Sequence, residues 1–194
     1  QINTVAAGGG SILSYKDGRF QVGPESAGAT PGPASYGRGG PLTVTDCNVL
    51  LGKLNPEFFP KVFGETSDQP LDFEIVKKKF LDLSEKISKE KNDPMMDIFI
   101  MAEGFLKIAV ENMANAIKKI SIQKGYDVTN YMLNCFGGAG GQHACHVADA
   151  LGISNVMIHP YAGVLSAYGM GLAEIRSIRE GHFEKNITNI SDAK

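Results

Sequence analysis

The hydrophobic and polar positions of this chain change period several times, and each change predicts an element. Ile2 to Ala7 reads as a strand running into Gly8-Gly9-Gly10-Ser11. Apolar and polar residues then alternate from Ile12 to Val22 around Lys16-Asp17-Gly18, the turn chemistry of a β-hairpin. No period survives from Gly23 to Pro41, where glycine and proline crowd a stretch with few charges. Loops of that length are functional or disordered, and the scarcity of charge favours an ordered active-site or interface wall. Thr45-Asp46 predicts the N-cap and first-turn acid of a short helix carrying Val49, Leu50 and Leu51, with Gly52 closing it.

Helical spacing takes over further along. Phe73, Val76, Phe80 and Leu83 define one amphipathic helix, with Lys77-Lys78-Lys79 as a solvated face and the stretch Lys86 to Lys91 as a solvated loop. A longer stripe, Met95, Phe99, Ala102, Leu106, Ala109, Met113, Ile117 and Ile120, predicts a second helix started by Asp93-Pro94 and stopped by Gly125. Glu103, Lys107 and Glu111 lie on another face of it at steps of four. Met132, Leu133, Cys135 and Phe136 then read as a buried strand, and Ala144, Val147, Ala148 and Leu151 as the helix after it. Val156 to His159 predicts another strand, and Leu165 to Ala173 a helix rich in small residues.

Between that strand and helix sit Gly137, Gly138, Gly140 and Gly141, which permit close backbone approach, while a helix starting near Gln142 would offer free N–H groups. An anion or ribose-phosphate suits such a junction. Named nucleotide motifs do not fit it. Counting from Gly138 and Gly140, His143 stands where the third glycine of a dinucleotide fingerprint belongs, and His159-Pro160 stands where that fingerprint wants an acid. No Gly-Lys-Ser/Thr follows, which excludes a P-loop. His143, Cys145, His146 and Asp149 are closely spaced, but too few convergent ligands are indicated for zinc, so no metal site is expected. Gly9 and Gly10 form a second place where a ligand could meet backbone, and Asp46 is a weak catalytic candidate, more typical of a cap.

Composition narrows the classes. A chain of 194 residues with 43% apolar content can bury a substantial core. Its net charge of −2 gives no basic footprint for nucleic acid or an anionic membrane. No uninterrupted apolar stretch is long enough for a bilayer, and no signal peptide opens the chain. Three widely spaced cysteines, Cys47, Cys135 and Cys145, argue against a disulfide framework and fit a reducing cytoplasm. An element at each end that reads as continuing predicts that both ends are cuts.

The order helix, strand, glycine turn, helix, strand, small-residue helix resembles the second lobe of actin-like (ribonuclease H-like) ATPases, an α/β fold with a mixed sheet flanked by helices. More specifically, TVAAGGGS at 4–11, VGPESAGATPGP at 22–33, GGPLTVTD at 39–46, CFGGAGGQHAC at 135–145 and GVLSAYGMGLA at 163–173 resemble the hydantoinase A and 5-oxoprolinase family. GGPLTVTD, FPKVFG at 59–64 and GGAGGQHAC look most like its ATP-dependent 5-oxoprolinase branch. Ser35 departs from a family pattern that usually has cysteine there, which puts any role of that cysteine in doubt.

The resemblance implies opening of the 5-oxo-L-proline lactam to L-glutamate in glutathione metabolism, with ATP cleaved to ADP and phosphate and Mg²⁺ as the metal. It places the nucleotide against Gly137, Gly138, Gly140, Gly141, His143, Gly9 and Gly10. It implies a homodimer and a hydantoinase B-like half or subunit as partner. Residues 1–175 would form the lobe, with 1–54 carrying the glycine-rich strands, loop and short helix, 55–93 a variable connection and 94–175 the adenosine side. Residues 176–194 would begin the return to a neighbouring lobe. Since the family's two Asp/Gly/Thr phosphate motifs lie upstream of this sequence, the segment alone is expected to be inactive. A related hydantoinase or ketone carboxylase subunit, or a non-catalytic dimerisation lobe, are the alternatives.

Overall fold

The computed structural model describes Val5 and residues 7–181. The strand expected over Ile2 to Ala7 falls, apart from Val5 and Ala7, outside the described residues, as does most of the return segment 176–194. The hairpin forms as the alternation predicts: β1 (Ser11–Lys16) pairs antiparallel with β2 (Arg19–Ser26). Asp17 and Gly18, at φ 50° and 73°, make the tight turn, which is why an Asp-Gly pair sits there. Leu13 and Tyr15 point inward, and Phe20 packs edge-on against Tyr15 and Phe105, with ring centroids 5.4 and 4.9 Å apart.

Helix α1 (Val44–Leu50) follows the glycine-proline loop, then come α2 (Phe73–Lys91) and α3 (Ile98–Gln123). The cap of α1 is Thr43, not Thr45, because Asp46 is the third helical residue and reaches back to the Thr43 amide. The lysines from Lys86 to Lys91 belong to α2 rather than to a loop, and the helix ends only at Asn92, in the left-handed conformation at φ 55°. Asp93 is consumed by that ending, its amide donating to Ser88 O, so α3 starts later, on the Asp97 carboxylate that accepts from the Phe99 and Ile100 amides. Met95 and Phe99, expected in the buried stripe, are consequently exposed.

The 26-residue α3 runs through two cores, about 39 Å at 1.5 Å per residue. Its Met101, Ala102 and Phe105 pack with Val44, Cys47, Val76 and Phe80; its Val110 and Ala114 pack with Val147, Leu151 and Ile153. The second core covers a parallel unit, β3 (Leu133–Cys135), α4 (Ala144–Leu151) and β4 (Val156–Ile158), in which Leu133 opposes Val156. α5 (Leu165–Leu172) follows and is largely exposed. The architecture is α/β, but the single mixed sheet expected is replaced, among the described residues, by two separate two-stranded sheets. The hairpin's β2 packs on α3, where Asn112 donates to Val22 O at 3.3 Å, instead of pairing with β3.

Candidate functional site

The loop from Gly23 to Pro41 is ordered around one buried acid. Although Gly23 to Ser26 belong to β2, the remainder turns through Ala34–Tyr36 and closes on Asp46. The Asp46 carboxylate accepts from the Ala34 amide at 3.1 Å, the Ser35 amide at 2.8 Å, the Thr43 amide at 2.7 Å and the Thr43 hydroxyl at 3.0 Å. Gly40 has no freedom to be another residue, since a Cβ there would lie 1.8 Å from Gly32 O. Burial raises the Asp46 carboxyl above its ordinary range, opposed by the donors from Ser35 and Thr43. Burial and then the Asp46 charge push the Cys47 thiol up, which keeps it protonated. Asp46, fully buried, lines neither of the two cavities described below and acts as a structural acceptor.

The second glycine stretch is built differently. Gly137, at φ 94°, turns the chain out of β3 and donates to Ala162 O at 2.8 Å, which ties the turn to the exit of β4. A 3₁₀ turn, Gly140–Gln142, leads into α4 through His143. Gly140 packs against Cys135, since a Cβ there would meet the thiol sulfur at 2.8 Å. The amides of Gly138, Ala139, Ala144 and Cys145 donate to no acceptor among the described residues.

The first glycine cluster meets this turn. Gly9 O accepts from the Thr45 amide at 2.8 Å and hydroxyl at 3.0 Å, and a Cβ on Gly9 would lie 3.7 Å from the Ala139 Cβ. Between the two stretches opens a cleft of about 420 Å³, floored by Met113, Ile117 and Val147 and rimmed by Gly8, Gly9, Gly137, Ala139, Gly140 and His143. Thus Gly9, Gly137, Gly140 and His143 of the expected set come together, whereas Gly10, Gly138 and Gly141 lie beside the cleft without lining it. Gly10 is needed against Ser26 instead, whose Oγ would be 2.9 Å from an added Cβ.

His143 is buried in the wall, its Nε2 3.4 Å from Asn48 Nδ2, which also donates to Gln142 Oε1 at 2.6 Å. Burial, then the charge of Lys53 and then His146, lower its pKa and keep it neutral. Asn48 and Gln142 escaped the pattern reading. The one available signal was a polar Asn48 amid the apolar run of α1, and its partners lie 94 and 95 positions away. His146 turns outward to Lys53, with Nε2 and Nζ 3.2 Å apart. Among the described residues no group of three or more His, Cys, Asp or Glu converges on a metal position.

A parallel strand pair crossed by a helix, with two glycine stretches nearby, makes an α/β unit whose helix start keeps amides without acceptors among the described residues, an arrangement chemically suited to an anion. Residues 1–179 match the hydantoinase/oxoprolinase family model, and the chain belongs to that family. It is 53% identical over 174 residues to the 5-oxoprolinase of Saccharomyces cerevisiae, covering 90% of this chain and 14% of that protein. Its fold is similar to the ATP-dependent caprolactamase of Pseudomonas jessenii, with TM-score 0.72 and 34% identity over 87% of this chain and 23% of that one. Acetone carboxylase in a nucleotide-free structure is similar at TM-score 0.67 and 25% identity, covering 84% of this chain and 22% of that one. The chain therefore spans about one seventh of the yeast relative it matches.

Proposed function

We propose that this chain is the adenosine-side, nucleotide-binding part of an ATP-dependent 5-oxoprolinase that converts 5-oxo-L-proline to L-glutamate. The observation that carries the reading is the meeting of two glycine stretches from opposite ends of the chain at one cleft, with the start of α4 and its unused amides on the rim. The residues present fit a nucleotide: backbone N–H groups for phosphate or ribose oxygens, and an apolar floor for the rest. ATP supplies the phosphoryl group that turns the poorly electrophilic lactam carbonyl into an activated centre with a leaving group.

Gly137 admits the ligand by presenting no side chain, Gly9 and Gly140 let Thr45 and Cys135 pack close behind the rim, and the amides of Ala139 and Ala144 orient its oxygens. His143, held neutral, adds no charge to the wall. No carboxylate lines the cleft among the described residues, so they do not fit Mg²⁺. The lobe assignment to the actin-like fold, a hydantoinase B-like partner, a homodimer and a cytoplasmic setting belong to the same proposal, supported by the family and by element order. Activity of the segment by itself is not expected, because the chain spans about one seventh of the yeast relative it matches.

The test is calorimetry of ATP binding to the intact protein carrying Gly8→Val, where the new side chain enters the cleft from a position with open space around its Cβ. A loss of at least about tenfold in affinity, with unfolding unchanged, is expected; unaltered affinity rejects the site. A substrate panel of 5-oxoproline, caprolactam and acetone with bicarbonate, read as ATP turnover, then separates this reading from those of its caprolactamase and carboxylase relatives.

A further inference from the structure

On the other side of α4 lies a second cavity, about 580 Å³, larger than the glycine cleft and sharing no lining residue with it. Its floor is apolar: Leu51 after α1, Leu106 and Val110 on α3, and Ala150 on α4. Charges of both signs surround that floor. Glu103, Lys107 and Glu111 rise along α3, while Lys53 in the turn after α1 and His146 on α4 line the same cavity. Steps of four on a helix place neighbouring side chains about 5–6 Å apart at Cβ, close enough to pair. Yet none of the three forms an ion pair or side-chain hydrogen bond among the described residues. Lys53 Nζ lies 3.2 Å from His146 Nε2 at the mouth of the cavity.

We infer that this cavity binds a small zwitterion of the α-amino acid class. Its ammonium pairs with Glu103, its carboxylate takes Lys107 and Lys53, and its aliphatic stem covers Leu106 and Val110. Alternating charges a few ångströms apart match a molecule that carries both signs within one short skeleton and disfavour one that carries a single sign. A simple carboxylic acid would leave the glutamates facing a like charge, and a simple amine would leave the lysines so. The volume lies within the range of ordinary small-molecule sites. This site is independent of the nucleotide reading, because α4 separates the two cavities.

The experiment is hydrogen exchange on the intact protein, following peptides that cover 98–111 and 144–151, with L-glutamate, L-leucine, succinate or butylamine added at equal millimolar concentration. Protection by either amino acid and none by succinate or butylamine is expected. Glu103→Gln and Lys107→Met, both on exposed side chains, should each weaken the concentration dependence of that protection at least tenfold while leaving ATP affinity unchanged. Equal protection by the single-sign compounds, no protection by any of the four, or protection indifferent to both variants overturns the inference. Loss of ATP binding with retained amino acid protection would fault the nucleotide site alone.

Discussion

The two glycine-rich loops of this protein use the same residue to opposite ends. In the loop that closes on Asp46, backbone donors are turned inward and taken up by a buried carboxylate, and Gly32 and Gly40 exist because chain meets chain. In the loop after β3, several donors are left without acceptors among the described residues, and Gly137 lines open space. A satisfied glycine loop is part of the core; an unsatisfied one at a helix start is an invitation to a ligand. Glycine count alone does not tell them apart, and the fate of the amides does.

The largest effect should come from emptying the first loop of its acceptor. Asp46→Ala leaves the Ser35 and Thr43 amides and the Thr43 hydroxyl buried without a partner, the Ala34 amide keeping only Pro41 O, and a loss of about 3 kcal/mol or more is expected in urea unfolding. Asp46→Asn should fall between, because an amide nitrogen then faces donors. If Asp46→Ala unfolds like the parent, the loop is not closed as described. Next in size, Gly8→Val should cost at least about tenfold in ATP affinity, or about 1.4 kcal/mol. Gly138→Val, whose side chain would project into open space outside the cleft lining, should cost clearly less. A reversed order would move the ligand along the turn.

Hydrogen exchange sharpens the contrast without mutation. Amides of Ala34 and Ser35 should exchange slowly with or without ligand, whereas those of Gly138, Ala139 and Ala144 should exchange fast in the free protein and slow severalfold with ATP. A loop from 25 to 40 that is slowed only by ligand would be a lid and not a wall.

The smallest effect concerns pH. A His143 pKa lowered by folding means the unfolded chain binds the proton more readily, so His143 adds stability that is complete above its ordinary value near 6.5. That stability is lost as pH falls from there through the depressed value. Asp46 runs the other way: its raised pKa favours the folded state at low pH, and this contribution declines as pH rises from the ordinary aspartate range through the raised value. Thermal unfolding between pH 5 and 7 should show a rising slope that His143→Gln flattens; an unchanged slope would mean that His143 is solvated.

How far the sequence alone reached follows from the range of the forces involved. The Asp-Gly hairpin turn, the helix carrying Val76 and Phe80 and the positions of the strands before the glycine turn and after α4 were legible, since each rests on contacts between residues a few positions apart, but the first strand is not buried as expected, with Met132 and Phe136 exposed. The motifs also sufficed to indicate the family. Helix starts were misplaced at Thr45 and Asp93, because several candidate caps lie in a row and only packing decides which carboxylate reaches which amide: Asp46 back to Thr43, and Asp97 on to Phe99. The meeting of Gly9 with Ala139, the burial of Asp46 under Ala34 and Ser35, and the linkage of Asn48 to Gln142 and His143 were decided by tertiary structure. These contacts join positions that share no local period, so only the folded chain, in which α3 holds both cores in register, brings them within hydrogen-bond or van der Waals range.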